Sequence, residues 1–450
     1  MRILFLAMSG VRAVDPELLR MGLTLPGFVE RSKTIASLPS LGLLTLAGMT
    51  PPWHELVYRD VPDIAAQANV PDGFDLAAIS SFSAQIEEAY ALADRLRAGG
   101  TRVVMGGPHV SVLPDEAKAH ADAVVIGEGE LSWPEVLADA EAGRLRPRYG
   151  TRGEAFDLDL APMPRFELLD PARYNRITVQ TSRGCPHRCE FCAATPLMTP
   201  GYRRKPIARV LAEIDRVCAL WPHPFLEFAD DNSFVDRAWA KQLLAAMIPR
   251  RVRWFTECDV AIADDPELLD LMAASGCAQV LVGLESPTAA DLVGIDAHGW
   301  KRKRLDRYRE AVARIQAAGI GVNGCFILGI DGQGVDAFDA VYAFARDAGL
   351  AEVQVTVQTA FPGTALYQRL RDAGRLIEPT RWELCTLFDV NFTPTAMTAE
   401  ELRGGFRDLV QRLYTDDLVR ERRERFRATR RAARRGLRVA RRGPERFPSP

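Results

Sequence analysis

The chain has 450 residues, of which 47% are apolar and 26% charged, and a formal net charge of −2. That is the profile of a globular protein too long for one ordinary domain. No apolar run is long enough to span a bilayer, and the short N-terminal run Ile3-Leu4-Phe5-Leu6-Ala7 lacks a signal-peptide layout, which argues against the membrane-spanning and secreted classes. A cytoplasmic location with reduced thiols is therefore expected, and the eight cysteines do not read as a disulfide framework.

Residues 1–143 alternate short apolar strands with helices. Strands are expected over 2–8, 55–60, 75–80, 103–105 and 123–126, and helices over 40–50, 86–98 and 133–141. This rhythm predicts a doubly wound parallel sheet, flavodoxin- or Rossmann-like. Such sheets bind ligands at the carboxyl ends of their strands, which is where Ser80, Gly106-Gly107-Pro108-His109 and Gly127-Glu128-Gly129-Glu130 fall. Glycine at these ends lets a large planar or phosphorylated ligand approach the backbone. A domain that has lost its ligand and only shapes a substrate pocket is the alternative.

Residues 144–176, with Pro147, Pro162, Pro164 and Pro171, read as a linker. A strand over 177–180 then leads into Thr181-Ser182-Arg183-Gly184-Cys185-Pro186-His187-Arg188-Cys189-Glu190-Phe191-Cys192. Three thiols spaced C-x3-C-x2-C on one loop can converge on a metal or an iron–sulfur cluster, and three protein thiolates leave one iron of a cluster open to another ligand. Zinc with His187 as fourth ligand needs a strained reach inside the first inter-cysteine gap, and unrelated core thiols would sit in unusually polar surroundings. The other five cysteines, at 218, 258, 277, 325 and 385, are scattered and read as core.

Beyond the loop, strands over 225–228, 252–258, 279–284, 321–328 and 353–358 alternate with helices over 207–220, 238–248, 266–274, 308–318 and 335–348. With the strand at 177 they make six βα units over 177–365, a partial (β/α)6 TIM-like barrel. Polar residues gather at the strand C-termini, where barrel active sites form.

Cys185-x3-Cys189-x-Phe191-Cys192 after a strand, with the later motifs in order, resembles the radical S-adenosylmethionine (SAM) superfamily. The preceding sheet, with Pro39-Ser40-Leu41-Gly42-Leu43-Leu44 and the two glycine motifs, resembles the cobalamin-binding domain of its cobalamin-dependent branch. The resemblance implies a 4Fe-4S cluster, SAM and cobalamin as cofactors. It makes Cys185, Cys189 and Cys192 the metal ligands and catalytic centre. It sets Phe191, Ile327 and Gly329 against the adenine, Asp230 and Asp231 on the SAM amino group, Glu257 on the ribose hydroxyls, and Glu285 and Ser286 elsewhere on SAM. It puts cobalamin near Ser80, Gly106, Gly107, His109, Gly127 and Glu128. No D-x-H-x-x-G loop occurs, so no lower axial histidine is expected from that motif. Read on residue type alone, one of Asp230 and Asp231 caps a helix, Glu257 forms a rim salt bridge and Phe191 is core.

The resemblance further implies a C-methyltransferase, similar to those acting on hopanoids, bacteriochlorophylls and natural products. In that chemistry a 5′-deoxyadenosyl radical removes hydrogen from an unactivated carbon, which then takes a methyl from methylcobalamin. A cyclase or rearrangement enzyme without methyl transfer, and a non-catalytic cobalamin- or redox-sensing protein, are the alternatives. The expected partners are a lipid, tetrapyrrole or secondary-metabolite substrate and an external electron donor such as flavodoxin or ferredoxin. Residues 366–418, with helices over 367–374 and 399–414, form a small C-terminal region expected to contact substrate. Residues 419–450 carry 13 Arg against 3 Glu and read as a basic, disordered tail. Weak contact with an anionic membrane surface fits that tail, whereas the lack of interleaved aromatics argues against nucleic acid.

Overall fold

A computed structural model describes residues 1–21, 38–65, 72–193 and 201–442, with side chains described to Ala432. The first sheet has six parallel strands in the order β2-β1-β3-β4-β5-β6: β1 Arg2–Met8, β2 Glu55–Val61, β3 Leu76–Ser81, β4 Arg102–Gly106, β5 Ala123–Val125 and β6 Arg148–Tyr149. Strand β1 shows why both faces are covered. Ile3, Phe5 and Ala7 pack into one apolar cluster, and Leu4, Leu6 and Met8 into another. A parallel strand buried on both sides is apolar throughout, as this run is. The order reverses between β1 and β3, which opens a crevice at their carboxyl ends.

The second sheet runs β14-β13-β12-β11-β10-β7, from β7 Ile177–Val179 through β10 Phe225–Phe228, β11 Arg253–Cys258, β12 Cys277–Glu285 and β13 Gly321–Leu328 to β14 Glu352–Val357. All neighbours are parallel and sequential, and β7 and β14 do not pair, so the barrel is open. Strands β8 Ser182–Arg183 and β9 Arg203–Arg204 form a separate antiparallel pair that brackets the cysteine loop.

The elements expected from periodicity appear at or within a few residues of their predicted bounds, and three features differ. The first sheet gains β6, inside the expected linker, because Val124 and Val125 find backbone partners in Arg148 and Tyr149. The rest of the linker is packed, with Phe166 fully buried and the Arg165 N–H on the Leu44 carbonyl at 3.0 Å. The basic tail is a helix rather than a disordered segment, continuous from Asp416 to Arg442. Arg423 pairs with Glu352 at 3.3 Å and Arg425 bonds to the Arg346 carbonyl at 3.1 Å, so the helix lies across the N-terminal rim of β13 and β14. Residues 443–450 lie outside the described residues.

Candidate functional site

The carboxyl ends of the two sheets face each other. On the first, β3 and β4 finish side by side with Ser80 in register with Gly106. Gly107 follows at φ +101°, and a Cβ there would sit 3.0 Å from Ser80 Oγ, so the turn closes over β3 only with glycine. The Gly127 N–H donates to Ser111 Oγ at 3.0 Å in the turn after β5. Ser80, Gly106, Gly107 and Gly127 thus line the edge with small residues.

Two other residues expected to touch a ligand on this edge are committed to the protein. The Glu128 side chain is 2% exposed, accepts from the Phe156 N–H at 2.9 Å, and pairs with Arg183 at 2.8 Å and with Arg203. Arg183 also reaches Glu130 at 2.7 Å. Because Arg183 and Arg203 belong to β8 and β9, this buried cluster ties the first sheet's edge to the cysteine loop. His109 is 1% exposed, with Nδ1 2.9 Å from Ser83 Oγ and Nε2 3.2 Å from Glu116, and its ring edge meets Trp382. Glu128 and His109 thus have protein partners on all their side-chain polar atoms, Glu128 reaching the cysteine-loop hairpin and His109 the ring of Trp382. Both are long polar side chains on a crowded edge, where protein partners already meet their hydrogen-bonding needs.

On the second sheet the cysteine loop rises from β7. Asp230, just past β10 and 4% exposed, accepts from the N–H groups of Thr181 and Ser182 at 2.8 and 2.9 Å, from the Thr181 hydroxyl, and from Ser233 Oγ at 2.9 Å. Asp231 accepts from the Gly184 N–H at 3.0 Å. The aspartate pair therefore holds the start of the loop, and Asp230 has no oxygen to spare for a SAM amino group. Burial outweighs these donors and raises the pKa of Asp230. Cys185, Cys189 and Cys192 are all partly exposed and unbridged. Burial raises the Cys185 thiol and pushes Cys189 up to about 12, although the Lys301 ammonium opposes the shift at Cys189. Among the described residues no three His, Cys, Asp or Glu side chains converge in metal-holding geometry. The donor chemistry nonetheless suits an iron–sulfur cluster, with three partly exposed thiols on one loop anchored by two aspartates.

Further round the mouth, the partly buried Phe191 packs on a small apolar cluster of Leu292, Ile295, Ile327 and Ile330. Gly329 turns at φ +89° and its N–H donates to Gln333 Oε1 at 2.8 Å. Glu285 stands at φ +63°, where a side chain costs about 1–3 kcal/mol. It pairs with Lys301 at 2.7 Å, and Lys301 also donates to the Gly283 carbonyl at 2.8 Å. Ser286 donates to Asp291 at 2.6 Å.

Glu257 is the exception at this mouth. Its carboxyl has no hydrogen bond or ion pair among the described residues, and Glu257 is an exposed position of β11 between buried Thr256 and Cys258. The exposure is to the hollow of the barrel, not to bulk water. Enclosure by protein is the larger effect and, with Glu227, Asp231 and Glu285 nearby, pushes its pKa to about 8. An uncompensated carboxyl facing a hollow suits hydroxyl donors or a cation, the chemistry of a SAM ribose or sulfonium. Sequence reasoning missed Arg183, Arg203, Lys301 and the buried Arg176–Glu227 pair, since nothing local marks their partners.

The molecule thus sets a doubly wound sheet against the mouth of an open barrel that carries three thiols. Residues 179–345 match the radical SAM superfamily, 37–137 the B12 binding domain and 364–443 a domain of unknown function, DUF4070. An uncharacterized methyltransferase of Synechocystis sp. is 32% identical over 80% of this chain and 67% of its own length. Bacteriochlorophyllide d C-12(1)-methyltransferase of Chlorobaculum tepidum is 26% identical over 85% of this chain and 84% of its own. The radical SAM methyltransferase TsrM of Kitasatospora setae, solved with cobalamin and a [4Fe-4S] cluster, superposes with a TM-score of 0.64 at 16% identity, covering 96% of this chain and all of that one. The chain belongs to the cobalamin-dependent radical SAM family. It is an enzyme whose cofactors are a 4Fe-4S cluster, SAM and cobalamin. No helix among the described residues is long and apolar enough to cross a membrane.

Proposed function

We propose that this chain is a C-methyltransferase that methylates an unactivated carbon of a small molecule, drawing electrons from an external donor such as flavodoxin or ferredoxin. The observation that carries the reading is the meeting of two carboxyl edges, one lined by Ser80, Gly106, Gly107 and Gly127, the other carrying the three thiols, joined through Glu128, Arg183 and Arg203. Bound at these edges, the cluster with SAM supplies a 5′-deoxyadenosyl radical, and cobalamin supplies the methyl group.

In this reading the chain's own residues hold and shield. Cys185, Cys189 and Cys192 ligate the cluster, on a loop whose entry is fixed by Asp230 and Asp231. Phe191 and Ile327 cover the adenine, and Glu257 receives the ribose hydroxyls. The Glu128 cluster keeps the two edges at a constant separation, so substrate, radical source and methyl donor stay close and dry. The small edge residues would leave room for a corrin, and both nitrogens of His109 are already taken by Ser83 and Glu116.

The test is anaerobic reconstitution with iron, sulfide and hydroxocobalamin, followed by SAM and a reductant. The expected result is retained cobalamin, 5′-deoxyadenosine and a product heavier by one CH2. Product formed without the added CH2 would assign a cyclase or rearrangement chemistry instead. Zinc in the three-cysteine site with neither signal would overturn the proposal.

A further inference from the structure

The face of the second sheet turned into the barrel carries several buried polar atoms without protein partners. In register on that face are Thr178, Glu227 and Gln279 low in the barrel, Glu257 and Asn323 above them, and Gln354 above those. Thr178 Oγ1, Gln279 Nε2, Asn323 Oδ1 and Gln354 Oε1 are buried with no hydrogen-bond partner, as are both amide atoms of Gln358. Asn323 and Gln358 are each 2% exposed. The opposite face, with Val280, Val282, Val322, Phe326 and Val355, is apolar and packed. Native interiors leave few polar groups unpaired, and several on one face of one sheet point to a missing partner.

The lining also states what that partner is. Among the described residues the cations of this face, Arg176 and Lys301, are each paired with a carboxylate, Glu227 and Glu285. Leaving Glu257 to the ribose, unpaired amide oxygens, on Asn323, Gln354 and Gln358, outnumber unpaired amide nitrogens, on Gln279 and Gln358. A carboxylate or phosphate finds no cation here, and a bare hydrocarbon leaves every amide unsatisfied. Gln279 lies six residues before Glu285, roughly 20 Å below the mouth at the rise of a strand. The floor is closed by the C-terminal helix, since a Cβ on Gly321, in register with Gln279, would meet the Phe426 ring at 3.4 Å.

We infer that the substrate carries a neutral or cationic end rich in hydroxyl or amine groups, which descends into the barrel and bonds to Gln279, Asn323 and Gln354. This rests on the methyltransferase reading for the identity of the occupant as substrate, and it disfavours an apolar lipid as that occupant.

Two measurements test it. First, Gln279→Leu/Asn323→Leu/Gln354→Leu removes unpaired amides from the substrate-free protein, so the apparent unfolding temperature rises by about 2–4 °C. Amides that serve only structure give a fall, which overturns the inference; Asn323→Leu alone carries the same sign if the triple variant is insoluble. Second, glucosamine, myo-inositol, glucose 6-phosphate and farnesol are tested on the reconstituted protein by saturation-transfer NMR. Glucosamine and myo-inositol are expected to bind, at least tenfold more weakly in the triple variant. Binding of farnesol or glucose 6-phosphate alone, or equal binding by the variant, overturns the inference. Cobalamin retention and SAM cleavage by the wild-type protein are scored separately. Their presence without sugar or cyclitol binding sinks this inference alone, and their absence with the expected amide results sinks the methyltransferase reading alone.

Discussion

Asp230 separates two accounts of the barrel mouth, one in which it holds SAM and one in which it holds the cysteine loop. Its carboxylate takes two backbone N–H groups and two hydroxyls, all from the protein and all buried. Asp230→Ala strands the N–H groups of Thr181 and Ser182, at about 1–3 kcal/mol each, while the two hydroxyls can turn to other acceptors. With the cavity left behind, the expected loss is about 3–5 kcal/mol. Asp230→Asn keeps one oxygen for the two N–H groups and is expected to lose about 1–2 kcal/mol. Urea unfolding of the metal-free protein measures both, and iron content after anaerobic reconstitution measures the loop. Stability and iron loading should fall together, Ala more than Asn. An alanine variant with an unchanged urea midpoint and full iron, but weakened SAM binding, would refute the loop-anchor account.

Four further outcomes follow from the same geometry. Glu257 has its pKa raised from 4.5 to about 8, so in that window the unfolded chain ionises while the folded one stays protonated. Stability therefore falls as pH rises from about 4.5 to 8, and Glu257→Gln should flatten that slope in thermal scans; parallel slopes would show that Glu257 does not face the hollow. Glu128→Gln leaves Arg203 without its buried anion, while Arg183 keeps Glu130, and should cost about 3–5 kcal/mol whether or not cobalamin is bound; a loss seen only with cobalamin would return Glu128 to the cofactor. A Cβ at Gly283 would lie 2.5 Å from Glu285 Oε1 and 3.1 Å from Lys301 Nζ, so Gly283→Ala should cost about 1–3 kcal/mol, and less in a Glu285→Gln background where the pair is already gone. Phe426→Ala opens the floor of the barrel and should cost about 1–3 kcal/mol in urea unfolding, since the ring is only partly buried; no change would mean the helix does not seal the barrel.

The sequence by itself determined the local elements and their order. Strand β1 is apolar from Ile3 to Met8 because both of its faces are buried there, and the helices at 86–98 and 207–220 repeat their apolar residues at helical spacing; such periods survive whatever the element packs against. The C-x3-C-x2-C loop was legible for the same reason, since its three thiols lie within eight residues. Only the tertiary structure decided what each polar side chain does. Asp230 closes on Thr181 and Ser182, His109 on Ser83 and Trp382, and Glu128 on Arg183 and Arg203, partners 26 or more residues away whose approach depends on which strands pair within a sheet and on how the two sheets meet. The amides at 279, 323 and 354 do alternate with valines, a period-two signal, but runs read simply as apolar strands conceal it. The arginine-rich end reads as a solvated charge run, and becomes a barrel floor only because Phe426 and Arg423 reach Gly321 and Glu352. A residue's backbone preference is set by its neighbours in the chain, but whether its charge or hydrogen bond is matched depends on neighbours in space.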